Sequence, residues 1–273
     1  TLMGHMTQTR QNVRSTKPRS PPPPSQTPAI ANDPEPILPP VKSHELHIRV
    51  KHISRMYTDD TGRFPVRSRS GNQYVMIAYH CDANVILACP FKTRADAHRL
   101  EAYANIMGRL KLRNLHVDLQ VLDNEASEEY KRQITETWGA KFQLVPPNMH
   151  RRNAAERAIR TFKAHFISIL AGADPNFPRY LWDLLIPQAE MTLNFLHNAT
   201  IDLSVSAWEF YAGPFNYYAT PLGPLGARVI AHNKPSTRQS WDYHGEGGYS
   251  VGVSIKHYRS QRYAHARTHQ VRI

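Results

Sequence analysis

Residues 74–89, Tyr74-Val75-Met76-Ile77-Ala78-Tyr79-His80-Cys81-Asp82-Ala83-Asn84-Val85-Ile86-Leu87-Ala88-Cys89, hold two compact apolar runs, Tyr74 to Tyr79 and Val85 to Cys89. Both are rich in aromatic and branched side chains, and runs of that length read as buried strands. Upstream, His47-Ile48-Arg49-Val50 alternates and reads as an earlier strand. The segments Asp59-Asp60-Thr61-Gly62-Arg63 and Ser70-Gly71-Asn72 lie between the first two strands and carry turn-forming residues. Three consecutive strands joined by tight turns are expected.

Downstream the period changes. A helix is predicted over about residues 93–112, with Thr93 and Asp96 at capping-box spacing and Leu100, Tyr103, Ile106 or Met107 and Leu110 on one face. Val117, Leu119 and Val121 then alternate into Asp123, a fourth strand that ends on a carboxylate. Ala126, Tyr130, Ile134 and Trp138 recur every four residues and predict a short helix. Phe142 to Val145 is a fifth strand, stopped by Pro146-Pro147. A longer helix is expected from near Asn153 to about Gly172, with Ala155, Ile159, Phe162, Phe166 and Ile169 or Leu170 as its apolar stripe. Another begins near Pro178, carries Leu181, Leu185, Ala189, Thr192 and Leu196, and should kink at Pro187. Three strands followed by alternating strands and helices predict an α/β fold with a mixed five-stranded sheet and flanking helices.

The 273 residues carry 34 Lys and Arg against 22 Asp and Glu, a formal charge of +12, which suits a polyanionic partner. No eighteen-residue apolar run and no charged-then-apolar leader occur, so neither a membrane span nor a secretory signal is expected. Opening on Thr1, the chain reads as a piece of something longer. Its two cysteines, Cys81 and Cys89, supply neither a disulfide framework nor a Cys-based zinc site, and an intracellular protein is expected. No G-x-S-x-G motif offers a serine nucleophile. Ten of the 21 prolines fall before residue 45, so residues 1–44 are expected to be a disordered proline-rich linker.

With acidic residues scarce, those at element ends stand out. Asp59 lies at or just after the first core strand, Asp123 ends the fourth, and Glu156 occupies the first turn of the long helix. Binding groups gather where the strands of an α/β sheet end, and converging carboxylates repel one another unless a hard cation such as Mg²⁺ holds them. Two such ions roughly 3.5–4 Å apart activate a hydroxyl and stabilise the leaving oxygen of a phosphodiester. Singly, each residue also has a plain explanation. Asp59 and Asp60 suit a turn, Asp123 suits a strand-to-helix loop, and Asn153 with Glu156 has capping-box spacing.

The joint arrangement resembles the catalytic core of retroviral and retrotransposon integrases, the DDE family with a ribonuclease H-like fold, and is most similar to integrases of copia-type long-terminal-repeat elements. The resemblance rests on Tyr57-Thr58-Asp59-Asp60-Thr61-Gly62, on Leu122-Asp123-Asn124-Glu125, and on Val145-Pro146-Pro147 leading through Arg152-Asn153-Ala154-Ala155-Glu156-Arg157 to Ile159-Arg160-Thr161. Further on, Ser206 to Gly213 is similar to the short helix after the core. Gly247-Gly248-Tyr249-Ser250-Val251-Gly252 with Tyr258-Arg259 and Arg262-Tyr263 is similar to a small β-rich module. The resemblance implies a catalytic core over 45–215 and a basic β-rich module over 216–273. It implies two Mg²⁺ or Mn²⁺ ions, one shared by Asp59 and Asp123 and the other held by Asp59 and Glu156, with Asp60 as the substitute at the first position. It also implies 3′-end processing and strand transfer on element and target DNA, homo-oligomers, no small-molecule cofactor, and a nuclear or virus-like-particle setting. The sequence departs from the family pattern at Glu125-Ala126 and at Ala154, and it lacks the amino-terminal His-His-Cys-Cys module.

At 100° per residue, Glu156, Arg160 and Lys163 share a helix face opposite Ile159 and Phe162. With Arg151, Arg152 and Arg157 they are expected to hold the DNA backbone without reading its sequence. In the carboxyl segment Arg228, Lys234, Arg238, Lys256, Arg259, Arg262 and Arg267 are interleaved with Trp241, Tyr243, Tyr249, Tyr258 and Tyr263. That pattern suits either a DNA-holding accessory or an aromatic core. Two rival functions stay open: a DNA-binding relic of a retrotransposon polyprotein that has lost catalysis, and a nuclease cutting RNA–DNA hybrids on the same fold.

Overall fold

The computed structural model describes residues 52–123, 126–145 and 154–273, with Thr237 described by its backbone only. The linker expected over 1–44 and the strand expected at His47–Val50 lie outside these residues. The first described strand is β1, Arg55–Asp60, followed by β2, Tyr74–His80, and β3, Val85–Phe91. Asp59 and Asp60 are therefore strand residues, not the turn their composition predicts. Their backbones pair with Ile77 and Met76 of β2, and that ladder overrides the poor strand propensity of aspartate. The turn begins one residue later, where Thr61 N–H donates to Val75 O at 2.9 Å.

Strands β4, Leu119–Leu122, and β5, Lys141–Leu144, complete a sheet of order β3-β2-β1-β4-β5. β1, β2 and β3 run antiparallel, whereas β1, β4 and β5 run parallel. This is the mixed five-stranded, ribonuclease H-like arrangement, and both faces are covered. On one side Met56, Leu87 and Leu122 pack against Tyr103, Ile106 and Leu110 of α1, Asp96–Lys111, and against Tyr130 of α2, Glu128–Arg132. On the other, Val75, Ile77 and Ile86 pack against Ala158, Phe162 and Phe166 of α3, Ala154–Gly172, and Ile186 and Ala189 of α4, Ile186–Asn194.

Three helices differ from expectation. Thr93 does not cap α1, whose N-cap is Ala95; its hydroxyl accepts from Ala95 N–H at 3.3 Å and meets His98 Nδ1 at 2.9 Å, two local bonds that hold it outside the helix. The short helix splits after Arg132 into a π-helical turn, Gln133–Thr137. Pro187 kinks nothing, because the preceding residues Arg179–Leu185 form a 3₁₀ helix and α4 starts afresh with the proline in its first turn, where no N–H partner is needed.

The outer edge of β3 is closed by side chains. Ala88 N–H donates to Glu190 Oε2 at 2.7 Å and Ile86 N–H to Asn194 Oδ1 at 2.9 Å, while Asn194 Nδ2 returns a bond to Ile86 O at 2.8 Å. Glu190 is 3% exposed and also pairs with Arg109. Beyond the short helix α5, Ala207–Ala212, the chain forms a second, antiparallel sheet: β6, Arg228–His232; β7, Gly245–Val253; β8, Gln261–His265; and β9, Val271–Arg272. Val251 and Ala264 of this sheet join the apolar cluster of α3 and α4. The approach is close at Gly226, which has φ +72° and where an added Cβ would stand 2.4 Å from that of Ala173. Among the described residues no helix is long and apolar enough to cross a membrane.

Candidate active site

Period-two alternation sorts the residues of β1 between the two faces. Met56, Thr58 and Asp60 face α1 and α2: Thr58 Oγ1 lies 3.4 Å from Tyr130 Oη, and Asp60 Oδ2 accepts from Arg99 Nε at 2.8 Å. Tyr57 and Asp59 face the opposite way, and Asp59 stands across from Ile77 in the α3 cluster. In β4, Gln120 is fully buried on the α1 side, donating to Thr58 Oγ1 at 2.9 Å, and Leu122 follows it there. Val121 lies on the opposite face by alternation, and Asp123 directly follows the end of the strand.

The parallel register carries the two aspartates to the same end of the sheet. Tyr57 pairs with Val121; Asp59 lies two residues on in β1, Asp123 directly follows the end of β4, and the two line one cavity. The face choice also separates Asp59 from Asp60. Asp60 is turned to α1 and engaged by Arg99, with Arg94 close enough to oppose the upward push that burial gives its pKa. Asp59 is turned to α3, whose first turn carries Glu156.

The electrostatics follow from this placement. Burial pushes the Asp59 carboxyl up to about 6, opposed by the Asp60 N–H, which donates to Asp59 Oδ1 at 2.7 Å. The charges of Asp60, Asp123 and Glu156 all push it further up. Two further carboxylates, from other elements, thus act on Asp59, as expected for a site shaped to receive positive charge. Their hard oxygens match Mg²⁺ or Mn²⁺ in donor chemistry. In spacing, no three His, Cys, Asp or Glu side chains among the described residues stand close enough to hold one ion. The neighbouring Asn124, Glu125 and residues 146–153 lie outside the described residues.

A cavity of about 100 Å³ opens at this edge, lined by Thr58, Asp59, Asp60 and Asp123 on the sheet side and by Arg94, Arg99, Ser127 and Tyr130 on the other. Ser127 caps α2 through its hydroxyl, which accepts from Tyr130 N–H at 3.3 Å. Tyr130 in turn stands edge-on to Tyr103, so Thr58, Gln120, Tyr103 and Tyr130 form one buried polar floor under the aspartates. The α1 wall was not legible beforehand. Arg94 and Arg99 have no motif around them, and only the turn of the chain into α1 brings them to the acids.

Of the cations expected to meet DNA, Arg157, Arg160 and Lys163 are exposed along α3, while Arg151 and Arg152 lie outside the described residues. The positive charge of Arg157 is felt at Tyr79 and Cys81. Lys163 lies farther along, at an apolar cavity with Thr61 and Phe166. Cys81 and Cys89 are free thiols, each pushed up to about 11 by burial, and neither is poised as a nucleophile.

No family model and no curated protein matches the chain. Among solved structures, the chain is similar to the catalytic core domain of BIV integrase, at 13% identity and a TM-score of 0.41 over 57% of this chain and 92% of that one. It is similar to the HTLV-2 integrase catalytic core domain in complex with magnesium, in a dimeric form, at 16% identity and a TM-score of 0.41 over 59% and 95%. A third similar structure is the simian T-cell lymphotropic virus intasome, at 15% identity and a TM-score of 0.46 over 81% and 84%.

Proposed function

We propose that this chain is a DDE-type polynucleotidyl transferase, the catalytic core and carboxyl module of an integrase from a copia-type retrotransposon, which processes 3′ ends of DNA and joins them to a target. One observation supports the reading: Asp59 in β1 and Asp123 just beyond the parallel strand β4 line one cavity, and the charges of Asp123 and Glu156 both act on Asp59. Asp59 with Asp123, and Asp59 with Glu156, would each hold one Mg²⁺ or Mn²⁺ ion. Bound there, the metal supplies charge neutralisation at the phosphodiester and acidifies the attacking hydroxyl. Arg157, Arg160 and Lys163, exposed along α3, would hold backbone phosphates, and Arg99 engages Asp60, leaving Asp59 to the ion. Working on two DNA segments, the protein acts as a homo-oligomer.

The rival reading, a DNA-binding relic, draws on the spacing of the carboxylates, since no three described acidic, His or Cys side chains are close enough to share an ion. Joining assays with Mg²⁺ separate the two. Loss of a partner that merely orients a ligand lowers metal affinity or activity roughly 10–100-fold, so Asp123→Asn, which removes a ligand itself, should lower joining by more than that while DNA binding holds. Joining at the wild-type rate by Asp123→Asn or Glu156→Gln overturns the assignment, and a wild-type chain that binds DNA and never joins it supports the relic.

A further inference from the structure

The two most exposed large apolar side chains among the described residues sit two positions apart, far from the acids in sequence. Trp241 is 98% exposed and Tyr243 90%, both in the loop that joins β6 to β7, and Ile230 of β6 is 81% exposed. An indole left to water forgoes the largest burial energy any side chain offers, and a cluster of such residues marks a contact surface.

The backbone under these rings is fixed. Asn233 N–H donates to His244 O at 2.8 Å, which extends the hairpin beyond the end of β6, and Asn233 Nδ2 donates to Tyr243 O at 3.3 Å. Asp242 N–H donates to Gln239 O at 3.2 Å, and Asp242 Oδ2 accepts from Gln239 N–H at 2.8 Å, closing a turn with Trp241 inside it. The two aromatic side chains are thus carried on a hydrogen-bonded backbone, so the ordering of that backbone is settled before any partner arrives. Arg228, Lys234 and Arg238 lie on the same hairpin against two carboxylates, both engaged: Asp242 by Gln239, and Glu246 by Arg272 and Tyr263. Arg238 Nε is buried without a hydrogen-bond partner among the described residues.

We infer that this hairpin is a second binding site, and that its ligand is a DNA strand with unpaired bases, stacked on Trp241 and Tyr243 while Arg228 and Arg238 meet its phosphates. The choice of DNA rests on the proposed function; the stacking rests on the exposed rings. Paired bases in a duplex cover one another's faces, so exposed rings over a cationic scaffold select strands whose base faces are open. A membrane surface would require a broader apolar face than two rings and one isoleucine.

Tryptophan fluorescence of the full chain tests this directly, because of its four tryptophans Trp182 and Trp208 are buried, Trp138 is half-buried and Trp241 is 98% exposed, so the most accessible signal is that of Trp241. A short oligothymidylate should quench the emission, and an abasic strand of the same length and charge should bind at least roughly fivefold more weakly and quench little. Trp241→Ala should weaken oligothymidylate binding roughly tenfold, read by anisotropy of a labelled strand, with no loss of folding since the side chain packs against nothing. Trp241→Phe should keep the affinity and lose the quenching. Equal affinity for thymidylate and abasic strands, equal affinity for blunt duplex, or quenching by anionic phosphatidylserine vesicles with none by oligothymidylate would each overturn the site. Asp123→Asn should leave all of these signals unchanged, so failure of the hairpin and failure of the acid site are read separately.

Discussion

The two sheets of this molecule treat water in opposite ways. In β2 and β3 buried residues run almost without interruption, because helices cover both faces. In β6 exposed and half-buried residues alternate, and only the far part of the second sheet, around Val251 and Ala264, is drawn into the core. The difference separates two kinds of site. A sheet enclosed on both faces holds a carboxylate such as Asp59 where burial makes its charge unfavourable, which is what an ion-binding edge needs. A sheet anchored at one end can hold out rings that the enclosed sheet has no room to expose.

If enclosure is what stabilises the first sheet, breaking its closed edge should have the largest effect. Glu190→Ala leaves Arg109 and the Ala88 N–H without their carboxylate and should lower stability by about 3 kcal/mol in urea denaturation, as for other broken buried pairs. A loss below about 1 kcal/mol would place β3 nearer the open behaviour of β6.

An intermediate effect, of opposite sign, is expected at Asp59. Its folded pKa of about 6 lies above the ordinary 3.8, so the folded chain binds the proton more tightly than the unfolded chain does. The resulting destabilisation is complete above pH 6 and disappears as pH falls below about 4. Asp59→Asn should therefore stabilise the metal-free chain by about 1 kcal/mol at pH 7, allowing for solvent screening, with no gain at pH 4. Mg²⁺ should raise the melting temperature of the wild type and leave that of Asp59→Asn nearly unmoved. The smallest effect belongs to the exposed hairpin: Trp241→Ala should change stability by less than about 0.5 kcal/mol. A larger change would show that the ring packs in solution.

The strands of the first sheet were legible in sequence wherever burial was continuous. Tyr74 to Tyr79 and Val85 to Cys89 announce themselves because two-sided burial leaves no polar position to blur the pattern. Asp59 and Asp60 did not, since their strand identity comes from pairing with Ile77 and Met76, a contact between distant positions. Pro187 misled for a similar reason: a proline in mid-run signals a kink, unless the preceding turn is 3₁₀ and the helix begins at it. The three acidic residues were nameable from their places at element ends. Choosing Asp59 over Asp60 on physical grounds required the register with Val121 and the pull of Arg99, neither of which is written in local sequence. The α1 wall of Arg94 and Arg99 and the hydrogen bonds that pin the Trp241 turn were likewise products of folding.

The side chains that close β3 also give the first sheet a direction. A β-sheet is in principle an open-ended lattice, able to recruit another strand at each margin. Glu190 and Asn194 act as chain terminators at one margin, taking the donors and acceptors that an incoming backbone would use. The opposite margin, β5, is four residues long and begins on the exposed Lys141 and Phe142. Growth of this sheet is thereby sealed at β3 and limited to a short template at β5.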